Sequence, residues 1–151
     1  MVDLSRSKLL ALQVDGAIGE LLRDQVEQFL GVFIRLDGGH VGVEAAGRVG
    51  DDVDLEYGYQ SARQTGLAIL ATLKANLGSL DRISKVVKTL GMVNCSPDFG
   101  EQPKVINGYS DLLAEVFGPD NGVGARSAVG MGALPGNITT EIEVIFELND
   151  E

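Results

Sequence analysis

The stretch "GARSAVGMGALPGNITTEIEVIFEL", residues 124–148, decides how this chain folds. It reads as two strands, Arg126 to Leu134 and Thr139 to Leu148, around a Pro-Gly-Asn break. In the second, Thr140, Ile142, Val144, Phe146 and Leu148 fall on one side, and Glu141, Glu143, Ile145 and Glu147 on the other. That alternation belongs to a strand with one face on a core. In the first, a single cation, Arg126, stands among small apolar residues. The question is why two buried-looking strands carry one cation and a matching acid.

Upstream, Asp54 is a good N-cap. Leu55, Tyr59, Ala62, Gly66, Ile69, Leu73 and Leu77 follow at steps of three and four, and Gly78 closes the run. That predicts a long helix with one apolar face. "RISKVVKTLGMVN" predicts a strand ending at Asn94, and "CSPDFGEQP" a turn-rich loop. Pro103 suits the first turn of a second helix. Ile106, Tyr109, Leu113, Val116 and Phe117 give that helix a stripe, and "GPDNG" closes it. Before all this, Ile18, Leu21, Leu22, Val26 and Phe29 predict a helix, and "LGVFIRL", "DGG" and "HVGVEAAG" a hairpin. The order from the hairpin on is hairpin, helix, strand, helix, two strands. Both helices then cover one face of a single mixed sheet, an α+β two-layer sandwich. No helix remains for the other sheet face, which points to burial against another subunit.

Composition narrows the function. The 151 residues fit one domain, 1–151, with 44% hydrophobic and 23% charged residues. The net charge of −10, with 12 basic residues scattered among 22 acidic ones, disfavours nucleic acid, which is gripped by clustered Lys and Arg. No apolar run approaches membrane-spanning length. The opening "MVDLSRSKLLAL" lacks the apolar core of a signal peptide, and the single Cys95 cannot form an internal disulfide, so a cytoplasmic location is the expectation.

Few residues offer chemistry. The guanidinium of Arg126 suits a planar carboxylate, and its small neighbours leave room for a ligand; the plainer reading is a strand-end ion pair. Glu141 is its possible partner or a carboxylate that orients water, against the plainer reading of a solvated strand face. Asn107 sits inside the second helix despite poor propensity, as a packing hydrogen-bonder or a ligand contact. His40 has no second His or Cys nearby, which argues against a metal. Cys95 has no adjacent base and reads as a small residue near an element end, with a nucleophile as the remoter alternative. The glycines of "GVGARS" and "GMGALPG" match neither dinucleotide nor P-loop spacing.

"ARSAVGMGALPGNITTEIEVIFEL", with its arginine in a small-residue strand, its Leu-Pro and its Glu-Ile-Glu, resembles the C-terminal signature of the YjgF/Rid family, also called endoribonuclease L-PSP. "GYQSARQTGLAILATLKANLGSLDRISKVVKTLGMVNCSPDFGEQPKVINGYSDLLAEVFG" agrees with the subgroup carrying a longer second loop. The resemblance runs from about Gly47 to the C-terminus, leaving residues 1–46 as a divergent part. It implies a chorismate-mutase-like fold, a homotrimer with clefts between subunits, and hydrolysis of reactive 2-imino acids to 2-keto acids and ammonia without metal or cofactor. By resemblance Arg126 would clamp the substrate carboxylate, the backbone at Ala128 would contact the ligand, Asn107 would line the cleft, and Glu141 would position the attacking water. "AAGRVG" stands where the family carries Ser-Gly-Gln, with Gly47 in place of that motif's glycine or in the segment after it; no tyrosine precedes Tyr57.

Overall fold

The structure, a computed structural model, describes residues 45–149. The expected N-terminal helix, the hairpin strands up to Glu44 and His40 lie outside the described residues. Within them, helix α1 (Leu55–Leu77) leads through a short 3-10 turn to strand β1 (Ile83–Asn94), helix α2 (Gln102–Asn121) and strands β2 (Ala125–Met131) and β3 (Thr140–Leu148). The sheet order is β2-β1-β3. β1 pairs with β2 in parallel and with β3 antiparallel, which makes the sheet mixed as the sequence predicts.

The predicted caps hold. Asp54 accepts a hydrogen bond of 2.8 Å from the Tyr57 amide, and the Gly78 amide closes the helix onto the Lys74 carbonyl. Both helices pack on one sheet face. Ile69 and Leu73 of α1, Ile106 and Leu113 of α2, and Ile142, Val144 and Phe146 of β3 are all almost completely buried there. Each such side chain contributes about 1.5–3 kcal/mol by leaving water. β3 alternates buried and half-buried along its whole length, with Glu141, Glu143, Ile145 and Glu147 on the side away from α1 and α2.

Two glycines shape α2. At Gly108 a β-carbon would stand 2.0 Å from the Tyr59 carbonyl oxygen, so α1 and α2 meet there backbone to side with nothing between them. At Gly118 the chain takes φ 82° and ψ 164°, which breaks the helix before Pro119 and leaves a last single turn beyond it. Phe117, just before the break, sets its ring edge-on to Phe146 with centroids 6.4 Å apart. Val116 departs from the predicted stripe: it is 43% exposed in the turn that the break cuts short. The other departure is β2. It ends at Met131, short of Leu134, and most of its residues are exposed.

Candidate functional site

The register of β1 on β2 sets Arg126 opposite Thr89. Thr89 is buried, and its β3 partner Val144 lies in the core between sheet and helices. Arg126 therefore rises on the helix-covered side, at the strand on the sheet's edge. Above it α2 presents Asn107 and Ser110, whose i, i+3 spacing places them on one helix face. One guanidinium nitrogen, Nη1, donates to Asn107 Oδ1 at 2.9 Å and to Ser110 Oγ at 2.9 Å. Both hydrogens of Nη1 are thus committed within the chain. Nε and Nη2 meet no partner among the described residues, and the side chain is exposed.

Beside Arg126 lies an open hollow of about 340 Å³, with Val86, Thr89, Tyr109, Ala114 and Val123 among its walls. Tyr109 is 1% exposed, and its hydroxyl has no hydrogen-bond partner among the described residues. Burial pushes its ionisation well above the ordinary tyrosine range; the nearby Thr89 hydroxyl pulls weakly the other way. The hollow thus carries the Arg126 guanidinium at its rim, an apolar wall, a neutral phenol in its floor and the Asp111 carboxylate, which accepts from the Tyr59 hydroxyl at 2.9 Å.

The other residues that the sequence marks are placed differently. Ala128 pairs with Gly91, two positions along β2 on the same face as Arg126, and packs half-buried against the core. Glu141 pairs with Met92 and lies half-buried on the face away from α1 and α2. From Arg126 to Glu141 is two strand spacings, roughly 10 Å, plus three residues along the strand, again roughly 10 Å, and the side chains leave opposite faces. Gly47, at φ 130°, is buried at the far end of β1, where its amide donates to the Asn137 carbonyl at 2.9 Å. One chain therefore brings Arg126, Asn107 and Ala128 together and leaves Glu141 and Gly47 apart from them. Ser110 carries no signal in the sequence beyond its spacing from Asn107.

The face away from α1 and α2 has its own chemistry. Lys85 pairs with Glu147 at 3.0 Å, and Lys88 Nζ donates to Ser127 Oγ at 2.7 Å. A shallow hollow of about 200 Å³ opens there between Lys88, Leu90, Glu143 and Ile145. Cys95 is buried; Arg48 donates to its backbone carbonyl at 2.9 Å, and its sulfur accepts a long hydrogen bond of 3.7 Å from Gln102 Nε2. Among the described residues no three His, Cys, Asp or Glu side chains gather as metal ligands, and no helix is long and apolar enough to cross a membrane.

The model of the family described as "YjgF/chorismate mutase-like, putative endoribonuclease" matches residues 13–147 of this chain. The match reaches into the N-terminal third, beyond the stretch whose motifs carry the resemblance. Protein TCP17 of Trypanosoma cruzi is 41% identical over 110 residues, 73% of this chain and 69% of that protein. The crystal structure of Atu1372 from Agrobacterium tumefaciens, described as of unknown function, aligns with a TM-score of 0.68 at 43% identity. It covers 75% of this chain and 71% of that one. A Shewanella oneidensis protein described as a "putative endoribonuclease" aligns at 0.66 and 30% identity, over 78% of this chain and 76% of its own.

Proposed function

From the premise that this chain belongs to the YjgF/chorismate-mutase-like family, we propose that it hydrolyses reactive 2-imino acids to 2-keto acids and ammonia, in sites shared between copies of the chain. The observation that carries this reading is the presentation of Arg126. Its guanidinium is anchored by Asn107 and Ser110, and its remaining donors face open space beside small residues. A carboxylate docked on that edge is fixed in plane, which holds the adjacent imine carbon in place. Water adds to that carbon as Glu141 of a neighbouring copy takes its proton; the Glu141 carboxyl then returns that proton to the carbinolamine nitrogen, which leaves as ammonia while the hydroxyl loses its proton to give the keto acid. A protonated imine is already a strong electrophile, so the mechanism asks for positioning and proton transfer alone.

The separation of Arg126 and Glu141 onto opposite faces supports a shared site. An exposed edge strand and a half-buried acidic face complement each other when copies are arranged in a ring, and the resemblance implies a ring of three. The test measures keto-acid release from enzymatically generated 2-iminobutanoate. Arg126→Ala and Glu141→Gln should each lower kcat/KM by about 100-fold or more. Co-refolded in equal amounts, the two inactive variants should recover about a quarter of the wild-type sites, since each cleft needs one intact group from each neighbour. A wild-type protein that gives no acceleration at any concentration would end the hydrolase reading.

The replacement of Ser-Gly-Gln by "AAGRVG" favours a second reading, a carboxylate-binding module without turnover. Thermal stabilisation by 2-oxobutanoate in a protein that leaves the imine untouched would select it. The nuclease named in the family's description finds no support in the charge of −10, which repels a phosphate backbone.

A further inference from the structure

We infer that Ser110 is a positioning residue which, with Asn107, turns Arg126 so that it takes a carboxylate side-on, through Nε and Nη2. The inference rests on the reading of Arg126 as a carboxylate clamp and goes beyond it in saying which edge of the guanidinium binds and what sets that edge. A guanidinium has five N–H donors and two ways to hold a carboxylate in bidentate fashion: end-on through Nη1 and Nη2, or side-on through Nε and Nη2. Here both hydrogens of Nη1 are spent on Asn107 Oδ1 and Ser110 Oγ, each at 2.9 Å. The end-on mode would break at least one of those bonds. The side-on edge has no partner among the described residues and lies on an exposed side chain.

Two acceptors do what one could not. A single hydrogen bond to Nη1 leaves the guanidinium free to swing about it, whereas acceptors at positions 107 and 110 of one helix fix both its tilt and its reach. Neither acceptor is charged. The cation is therefore held without being neutralised, and its charge stays available for an acid. An ion pair at this point would have competed with the ligand.

The experiment uses the full chain and 2-oxobutanoate as the probe, with binding followed by titration calorimetry. Arg126→Ala should abolish detectable binding, and Arg126→Lys, which keeps the charge and loses the fork, should do no better. Ser110→Ala should weaken Kd by about five- to tenfold. Ser110→Thr, which returns the hydroxyl, should come within about twofold of wild type. If imine hydrolysis is measurable, the Ser110→Ala loss should fall on KM with kcat nearly unchanged. Binding by Ser110→Ala equal to wild type, no rescue by Ser110→Thr, or wild-type affinity in Arg126→Lys would each overturn the inference. The failure of the hydrolase reading is distinguishable: a protein that binds the keto acid with this pattern and releases none from the imine refutes turnover and leaves the side-on clamp standing. Absence of Arg126-dependent binding in the wild type refutes both.

Discussion

β2 and β3 flank the same central strand, yet the two do opposite work. β3 sends every second side chain into the core, with Phe146 fully buried against Phe117 and Ile142 beneath the helices. β2 buries almost nothing: only Ala128 and Met131 are even half-covered, and Val129 stands 39% exposed. The residues of β3 hold the chain together. Those of β2 are held by it and shown to the outside, which is the arrangement expected of a strand that meets a ligand or another copy.

The contrast can be broken at its strong end first. Phe146→Ala removes a ring from the most enclosed part of the sheet and should cost about 3–5 kcal/mol in urea unfolding. A loss below about 1 kcal/mol would mean that the two strands do not differ as described. Next comes Tyr109, packed between the core and the hollow beside Arg126. Because its ionisation is raised by burial, its contribution to stability is complete below the ordinary tyrosine value near 10 and is lost as pH rises through the folded-state value. Melting temperatures between pH 9 and 11 should therefore fall for the wild type and fall less for Tyr109→Phe. Equal slopes would place the alkaline weakness elsewhere. The smallest effect belongs to Val129→Ala, which in dilute protein should stay within about 0.5 kcal/mol. A cost that grows with protein concentration would sharpen the comparison, since it would show β2 covered by a second copy.

The same contrast explains which parts of the sequence were readable. β3 could be read to within one residue, Thr140 in place of Thr139 at its start, because its alternation is the imprint of a core that the chain supplies itself. The long helix was equally legible, with Asp54 and Gly78 marking its ends and Ala62, Ile69 and Leu73 its buried stripe. β2 was harder. Its small residues mimic a buried strand, yet they are small on an exposed edge, and pattern cannot distinguish the two when nothing alternates. Arg126 and Asn107 were legible as candidates and do meet. Ser110 was not, since a serine in a polar helix turn looks like any other until the register of β1 and β2 brings the arginine beneath it. Pattern and resemblance alike set Glu141 beside Arg126, and only strand pairing reveals that one chain holds it on the far face. Val116 was misplaced because a stripe says nothing of where its helix will break.

Gly108 lies between Asn107 and Ser110 in sequence and looks away from both. Pressed against the Tyr59 carbonyl, it acts as the keyway that stops α2 from rolling. With that roll fixed, the two neighbouring acceptors have no choice but to overhang the sheet's outer edge. A methyl group added on the far side of the helix, touching no part of the hollow, would act as a wedge and swing them off the guanidinium. The aim of the clamp is thus set from behind, at a contact that no survey of its lining would include.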